Sequence, residues 1–253
     1  MEILENRILT FRTRQPEKYS IIPKCAAIGE NNGIYEMAVA WGYEEARILK
    51  NLGVKDVPSP IKREYNWPGL YKPMEHQIET AGFLTMHHRA FCFNDPGTGK
   101  SLSCLWAADY LMTKRVVRRV LILCPLSIMN SAWLADLSKS ILHRSAAIAY
   151  ASTASKRKDI VNGGYEFVIS NYDGLEIIDD DIIKDGRFDL IITDECNYVK
   201  SIKTRRWKTL NKILRPTTRL WMLTGTPAPQ SPVDAFGLAQ LVNPTTGPQF
   251  TNA

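Results

Sequence analysis

A glycine-rich segment carries the residues whose types and spacing point most directly to chemistry. Residues 94–101 read Asn-Asp-Pro-Gly-Thr-Gly-Lys-Ser. Gly97 and Gly99 let backbone N–H groups approach a phosphate. The ammonium of Lys100 then reaches the β- and γ-phosphates, and the hydroxyl of Ser101 can ligate Mg²⁺. The segment therefore predicts a site for ATP or GTP, and an ordinary glycine-rich turn is the alternative.

The elements on either side of this segment support the first interpretation. Residues 89–93 read as a short buried strand, and residues 102–112 have the pattern of an amphipathic helix. A phosphate-binding loop requires this strand, turn and helix in this order. Asn94 departs from the usual pattern, which has glycine at that position.

Two carboxylates follow another apolar strand further along the chain. Residues 189–193 precede Asp194 and Glu195. In a phosphate site, Asp194 can hold Mg²⁺ while Glu195 orients and deprotonates an attacking water. The alternative is a pair of solvated acids at the end of a strand.

A third apolar run is followed by a small turn that carries hydroxyl groups. This turn is Thr-Gly-Thr at residues 224–226, and its hydroxyls can form hydrogen bonds with the two carboxylates.

The order of apolar runs predicts how these residues are brought together. Strand patterns alternate with helix patterns after residue 89, and the strands lie at 120–124, 147–150, 167–170, 190–193 and 220–223. This alternation indicates an α/β fold with a mostly parallel sheet covered by helices on both faces. Ligands of such sheets bind at the carboxyl ends of the strands.

The first 65 residues have a different pattern. Strands are predicted at 8–12 and 20–23, a helix at 43–52, and a linker at 58–60. We interpret residues 1–65 as a small accessory α+β domain and residues 66–253 as the ATP-binding domain. The accessory domain is expected to contact DNA or the ATP-binding domain, and a purely structural cap is the alternative.

Composition narrows the class of protein. The 253 residues are 45% hydrophobic, and 32 Lys and Arg against 26 Asp and Glu give a net charge of +6. A basic balance favours an anionic partner such as nucleic acid. Five cysteines without a CxxC pair predict a reducing compartment, and no apolar run is long enough for a membrane span. The sequence predicts a soluble, cytoplasmic protein without a membrane partner. His87 and His88 are interpreted as a solvated helix end rather than a metal site.

Six motifs in order make the chain resemble the first motor domain of superfamily-two helicases, most closely the Swi/Snf-like DNA translocases of phage or bacterial type. The resemblance covers about residues 65–245 and implies a RecA-like fold. The motifs are the Gln motif at 73–77, motif I at 95–101, motif Ia at 123–127 followed by Trp133, motif Ib at 170–175, motif II at 194–201 and motif III at 224–227.

The resemblance implies ATP and Mg²⁺ as cofactors and assigns roles by motif. The implied catalytic residues are Lys100, Asp194 and Glu195, and the implied metal ligands are Ser101 and Asp194. ATP would be bound by Gln77, Pro96, Gly97, Thr98, Gly99, Lys100 and Ser101. Duplex or branched DNA would contact Ser127, Asn171 and Tyr172, each of which is otherwise a helix cap or turn residue. Coupling would involve Thr224, Gly225 and Thr226. The basic run 203–208 is interpreted as a solvated face.

The chain also departs from the family pattern. Asn197 replaces the usual His of motif II, and Pro96 replaces a Met or Thr in motif I. Motifs IV to VI of a second RecA-like domain, with its arginine fingers, have no counterpart in these residues. Such an arginine contributes roughly 10³–10⁵ in rate, so the chain alone is expected to bind ATP and hydrolyse it slowly. It is interpreted as part of a longer protein or a single-domain one. A non-catalytic module completed by a partner is the alternative function, and a P-loop kinase or GTPase would lack the Thr-Gly-Thr-Pro turn.

Overall fold

The structure is a computed structural model that describes residues 1–185, 188–226 and 232–244. The chain divides into two compact units, Met1–Asn66 and Trp67–Ala253. Across the described parts of both units, no helix is long and apolar enough to cross a membrane. The functional roles assigned to the two parts of the chain stay predictions.

The first unit is built on an antiparallel sheet with the strand order β1-β2-β4-β3. Its elements are β1 (Glu2–Leu4), β2 (Ile8–Thr13), β3 (Ala26–Asn31), β4 (Ile34–Ala40), α1 (Tyr43–Asn51) and α2 (Ile61–Glu64). Alternating apolar side chains of β2 and β4 are buried, and Leu9 and Val39 are paired in the ladder. Helix α1 ends at Asn51, so the helix that was predicted at residues 43–52 is confirmed to within one residue.

Two expectations for this unit were wrong. Residues 20–23 form turns rather than a strand, because the N–H of Ile22 bonds to the carbonyl of Tyr19 at 3.0 Å instead of to a neighbouring strand. Residues 58–60 are part of the first unit rather than a free linker, and the indole of Trp41 donates a 3.0 Å hydrogen bond to the carbonyl of Pro58.

The second unit contains six parallel strands in the order β5-β10-β9-β6-β8-β7. They are β5 (Arg89–Cys92), β6 (Val120–Cys124), β7 (Ala146–Ile148), β8 (Phe167–Asn171), β9 (Leu190–Thr193) and β10 (Arg219–Leu223). Every residue of β6, β9 and β10 is buried, as expected for strands with both faces covered. The predicted parallel α/β sheet is confirmed.

Helices precede, connect and follow these strands. They are α3 (Glu75–Met86), α4 (Lys100–Thr113), α5 (Ala135–Ser140), α6 (Ala154–Asn162), α7 (Tyr172–Asp185), α8 (Arg205–Ile213) and α9 (Pro232–Val242). Helix α4 follows the glycine-rich loop directly and begins at Lys100, two residues before the predicted start.

The strand order decides which loops meet. Strand β10 pairs with β5 on one side and with β9 on the other. The pairing continues past the strand end, where the N–H of Thr224 donates to the carbonyl of Cys92 at 3.2 Å. The loops that follow β5, β10 and β9 are therefore neighbours at the carboxyl edge of the sheet, although more than 90 residues of chain separate the first from the others.

Candidate nucleotide-binding site

The glycine-rich loop has the backbone conformation that a phosphate site needs. Gly97 and Gly99 have φ angles of 79° and 73°, in the left-handed region that favours glycine. The loop leads into the N-terminus of the 14-residue helix α4, where unpaired N–H groups and the helix dipole favour an anion. The Cβ atom of any larger residue at Gly99 would collide with Nε2 of Gln77.

Gln77 braces this loop from helix α3. Its side chain is 3% exposed, and its Nε2 donates to the carbonyl of Thr98 at 3.2 Å. Its Oε1 accepts from the N–H of Met74 at 3.0 Å, and Nε2 of His76 also lies 3.0 Å from the carbonyl of Thr98. Gln77 thus stabilises the glycine-rich loop, and its predicted contact with adenine stays a prediction.

Lys100 and Asn94 stabilise the loop at its other end. The Nζ of Lys100 donates to the carbonyls of Asn94 and Asp95 at 2.8 and 2.9 Å. Asn94, at the position where the usual pattern has glycine, donates from Nδ2 to the hydroxyl of Thr80 at 2.8 Å. Its side chain therefore ties the loop to helix α3.

Asp194 is held by hydrogen bonds to both carboxylate oxygens. Trp133 donates from Nε1 to Oδ2 at 2.9 Å, and the N–H of Glu195 donates to Oδ1 at 3.0 Å. Only 8% of Asp194 is exposed. Burial raises the pKa of this carboxyl, while the bond from Trp133 and the positive charge of Lys100 act against that rise. Lys100, at the end of the glycine-rich loop, is therefore near enough to favour the ionised form of the Asp194 carboxylate.

Glu195 has a different environment from its neighbour. Its side chain is exposed, and its φ angle of 51° is unusual for a residue with a side chain. Such backbone strain is often found at functional sites. The hydroxyl of Thr224 donates to Oε2 of Glu195 at 3.3 Å, so the predicted motif III turn contacts the predicted catalytic base.

Asn197 organises this turn. Its Nδ2 lies 3.1 Å from the hydroxyls of Thr224 and Thr226 and donates to the carbonyl of Thr226 at 2.8 Å. The N–H of Thr226 in turn donates to the hydroxyl of Thr224 at 3.1 Å. The residue that departs from the family pattern thus joins motif II to motif III directly.

Gly225 brings the turn against the phosphate loop. A Cβ atom at Gly225 would lie 2.9 Å from both Cδ and Cγ of Pro96. The other departure from the family pattern therefore packs against motif III, and glycine is needed for this close approach. Pro227, the last residue of the predicted motif, lies outside the described residues.

The three candidate nucleic-acid contacts have different surroundings. Ser127 is exposed after β6, and Asn171 is the last residue of the neighbouring strand β8. The Oδ1 of Asn171 is buried and has no hydrogen-bond partner among the residues that the structure describes. Tyr172 is only 2% exposed, and its hydroxyl donates to the carbonyl of Asp194 at 2.7 Å. Its ring supports motif II and does not reach the surface.

An aromatic pair extends from Tyr172 to the basic run. The rings of Tyr172 and Tyr198 are stacked with centroids 5.2 Å apart, and Tyr198 is exposed. The guanidinium of Arg206 lies 5.4 Å from the Tyr198 centroid and is 2.7 Å from the carboxylate of Asp173. At Arg206, the basic run therefore includes an ion pair at the surface, which is compatible with its interpretation as a solvated face.

The residues present fit a magnesium ion bound together with a nucleotide. Ser101 and Asp194 supply the hydroxyl and carboxylate oxygens that Mg²⁺ prefers, and phosphates and water usually complete its coordination. Within the described parts of the chain, no group of three or more His, Cys, Asp or Glu residues is arranged to hold a metal. His87 and His88 instead place ring nitrogens 2.7 and 3.2 Å from the backbone carbonyls of Phe83 and Thr217.

Comparisons with known proteins agree with this geometry. Residues 38–251 match the SNF2-related domain family. Over 173 residues the chain is 27% identical to the SWI/SNF-related matrix-associated actin-dependent regulator of chromatin subfamily A-like protein 1 of Xenopus laevis, covering 66% of this chain and 16% of that protein. It is 24% identical over 177 residues to the uncharacterized ATP-dependent helicase YqhH of Bacillus subtilis, covering 69% and 30%.

A phage relative and a solved structure extend the comparison. The putative protein p41 of Acyrthosiphon pisum secondary endosymbiont phage 1 is 30% identical over 180 residues, covering 68% of this chain and 39% of p41. The SWI2/SNF2 ATPase core of Sulfolobus solfataricus, solved with dsDNA, superposes with a TM-score of 0.62 at 21% identity, covering 71% of this chain and 37% of that one. The chain thus spans well under half the length of each.

The fold is a RecA-like α/β domain, as the resemblance implied. The chain belongs to the SNF2-related domain family. Sequence reasoning did not find the bond from Trp133 to Asp194 or the contacts of Asn197. From the sequence, Trp133 was identified only as an aromatic residue that follows motif Ia. Asn197 was identified only as a replacement for the usual His of motif II.

Proposed function

We propose that this chain is the ATP-binding domain of a DNA-dependent ATPase that translocates along or remodels duplex or branched DNA. The observation that carries the proposal is the physical connection between three motifs at one sheet edge. Thr224 bonds to Glu195, and Gly225 packs against Pro96 of the phosphate loop. A change at the nucleotide is thereby transmitted to both motif II and motif III.

The individual roles follow from the chemistry of each group. In this proposal Lys100 exchanges its loop carbonyls for the β- and γ-phosphates of ATP. Ser101 and Asp194 hold Mg²⁺, which when bound offsets the negative charge of the phosphates. Glu195 is exposed beside Asp194, and it orients water and accepts its proton. Thr224 fixes the position of the Glu195 carboxylate.

Duplex DNA is the proposed partner. The Sulfolobus structure is a complex with dsDNA, and the +6 charge of this chain suits a phosphate backbone. Ser127 follows β6 and Asn171 is the last residue of β8, and these two strands are paired, with Cys124 and Asn171 as register partners. We propose that these two residues contact phosphate or sugar, which positions DNA without reading its sequence.

A second RecA-like domain, in a longer chain or in a partner, is the proposed source of the remaining catalytic groups. Domain closure would supply an arginine to the phosphates, which commonly raises the rate of phosphoryl transfer by roughly 10³–10⁵. ATP hydrolysis by these 253 residues alone is therefore expected to fall well below the 1–10³ s⁻¹ that is typical of enzymes.

The test is ATP hydrolysis measured with and without duplex DNA, for these residues alone and after a second motor domain is supplied. We expect slow, DNA-independent turnover in the first case and DNA-stimulated turnover in the second. Glu195→Gln should abolish the stimulated turnover and keep ATP binding, because the amide preserves shape but accepts no proton. DNA stimulation that survives Glu195→Gln would contradict the assigned role. ATP binding without any turnover in the completed protein would favour the non-catalytic module.

A further inference from the structure

Trp133 occupies an unusual place beside the proposed metal site. Its side chain is fully buried, and its indole N–H donates to Oδ2 of Asp194 at 2.9 Å. The residue lies in a π-helical segment, Met129–Leu134, between a short turn after motif Ia and helix α5. π-Helical turns are rare and often occur at functional sites, where they shift the side chains of one turn relative to an ordinary α-helix.

Four other tryptophans donate their indole N–H to a different kind of acceptor. Each of these indoles donates to a backbone carbonyl: Trp41 to Pro58, Trp106 to Pro68, Trp207 to Gly237 and Trp221 to His87. Such bonds satisfy a buried N–H group and support packing. Trp133 instead donates to a carboxylate, which makes a stronger and more directional bond.

The bond from Trp133 constrains how Asp194 can bind a cation. The N–H of Glu195 occupies one site on Oδ1, and Trp133 occupies one site on Oδ2. Each carboxylate oxygen has two lone-pair sites, so one remains open on each. The indole cannot follow a rotating carboxylate because its ring is enclosed on all sides. The pair of bonds therefore fixes both the rotamer of Asp194 and the direction of its open lone pairs.

We propose that Trp133 is a positioning residue for the magnesium-bound nucleotide, acting through the carboxylate of Asp194. This inference rests on the proposed function, because it assumes that Asp194 binds the Mg²⁺ of ATP. Hydrogen-bond partners behind a metal ligand typically contribute 10- to 100-fold in metal affinity or activity. Trp133 also connects motif II to the π-helical segment that follows Ser127, a proposed DNA contact.

The test compares Trp133→Phe with Trp106→Phe. Both variants keep an aromatic ring and remove a buried indole N–H, but Trp106 bonds to the carbonyl of Pro68 and not to the site. The affinity for an ATP analogue is measured with Mg²⁺ and with EDTA. We expect Trp133→Phe to lose about tenfold or more of the gain that Mg²⁺ provides, and to bind the analogue normally in EDTA. Trp106→Phe should keep the full gain.

Two further measurements separate positioning from a loss of packing. In an Asp194→Asn background, Trp133→Phe should cause no additional loss of the Mg²⁺ gain, because the group through which it acts is gone. In the wild-type chain, the indole N–H resonance of Trp133 should shift when Mg²⁺ and ADP are added together and stay in place when ADP is added with EDTA. This second measurement does not depend on a variant that folds.

The possible results are distinguishable. Three results would each overturn the positioning role while leaving the proposed function intact. The first is a folded Trp133→Phe variant whose affinity gains as much from Mg²⁺ as that of wild type, and the second is an equal loss of this gain in Trp106→Phe. The third is an indole resonance of Trp133 that does not shift when Mg²⁺ is added with ADP. A wild-type chain that binds ATP equally with Mg²⁺ and with EDTA would overturn the assignment of Asp194 as the metal ligand, and the inference with it.

Discussion

At the scale of single residues, the candidate site combines a buried acid with an exposed one. Asp194 is 8% exposed and bonded at both oxygens, while its neighbour Glu195 is exposed and held through Thr224. Burial raises the pKa of Asp194, so ionisation of this group is less favourable in the folded chain than in the unfolded one. If Asp194 holds Mg²⁺ as proposed, its ionised form therefore costs some stability until the cation binds.

This cost predicts a pH dependence of folding without metal. Because the folded-state pKa of Asp194 is raised, its contribution to stability is greatest below the unfolded pKa and is lost as pH rises through the folded pKa. Asp194→Asn cannot ionise, although it changes the bonds to Trp133 and Glu195 by an amount that is independent of pH. Thermal unfolding in EDTA should therefore show wild type losing stability relative to Asp194→Asn over the range of pH that begins at about 4, the pKa of an Asp in the unfolded chain, and extends upward to the raised pKa of the folded chain. A constant difference across this range would contradict the raised pKa.

At the scale of elements, three loops from the adjacent strands β5, β10 and β9 form the site. Their contacts are specific: Asn197 bonds to both hydroxyls of the 224–226 turn, and Gly225 packs against Pro96. The family pattern has His where this chain has Asn197. The amide reaches two hydroxyls and a carbonyl from one nitrogen, so the replacement keeps motifs II and III connected.

We expect Asn197→Ala to lower the free energy of unfolding by about 1 kcal/mol, the usual net value of one hydrogen bond. The loss is limited because Oδ1 of Asn197 is buried with no hydrogen-bond partner in the described part of the chain, and alanine removes this acceptor too. Hydrogen exchange at the amide of Thr226 should accelerate. Asn197→His should restore part of the protection, since an imidazole N–H can donate to the same hydroxyls. Unchanged exchange in Asn197→Ala would show that the turn holds its shape without this residue.

The elements differ in how far the sequence predicts them. Strands such as β6 and β9 are continuous apolar runs because helices cover both sheet faces, and these predictions are confirmed. Strand β3 was missed because all six of its residues are exposed and their apolar and polar side chains do not alternate.

Contacts between distant residues could not be predicted from the sequence. The bond from Trp133 to Asp194 depends on a π-helical turn and joins residues that are 61 positions apart, so no local spacing of residue types indicates it. Tyr172 was predicted from its motif to contact DNA, yet it is buried. Burial raises the pKa of its hydroxyl well above the usual value, and the hydroxyl donates to the carbonyl of Asp194.

At the scale of the whole molecule, positive charge is present in both units. In the first unit, Arg14 and Lys24 are exposed basic residues outside the strands. Log affinity falls as log salt rises, and the proposal that this unit contacts DNA predicts that Arg14→Gln together with Lys24→Gln makes this negative slope shallower by roughly 0.9 for each lost phosphate contact. The matched control, Arg47→Gln with Lys50→Gln, removes the same charge from helix α1. Equal slopes for wild type and both variants would leave the first unit a structural role only.

The central claim is that the carboxyl edge of the six-stranded sheet binds Mg²⁺ and ATP through the loop that ends at Lys100. Equilibrium titration with a fluorescent ATP analogue in the presence of Mg²⁺ tests it most directly. Lys100→Ala should weaken binding by at least about tenfold, because a charge-assisted bond to phosphate is lost. Lys114→Ala, at the opposite end of helix α4, should bind as wild type does. A folded Lys100→Ala chain with wild-type affinity would contradict the account.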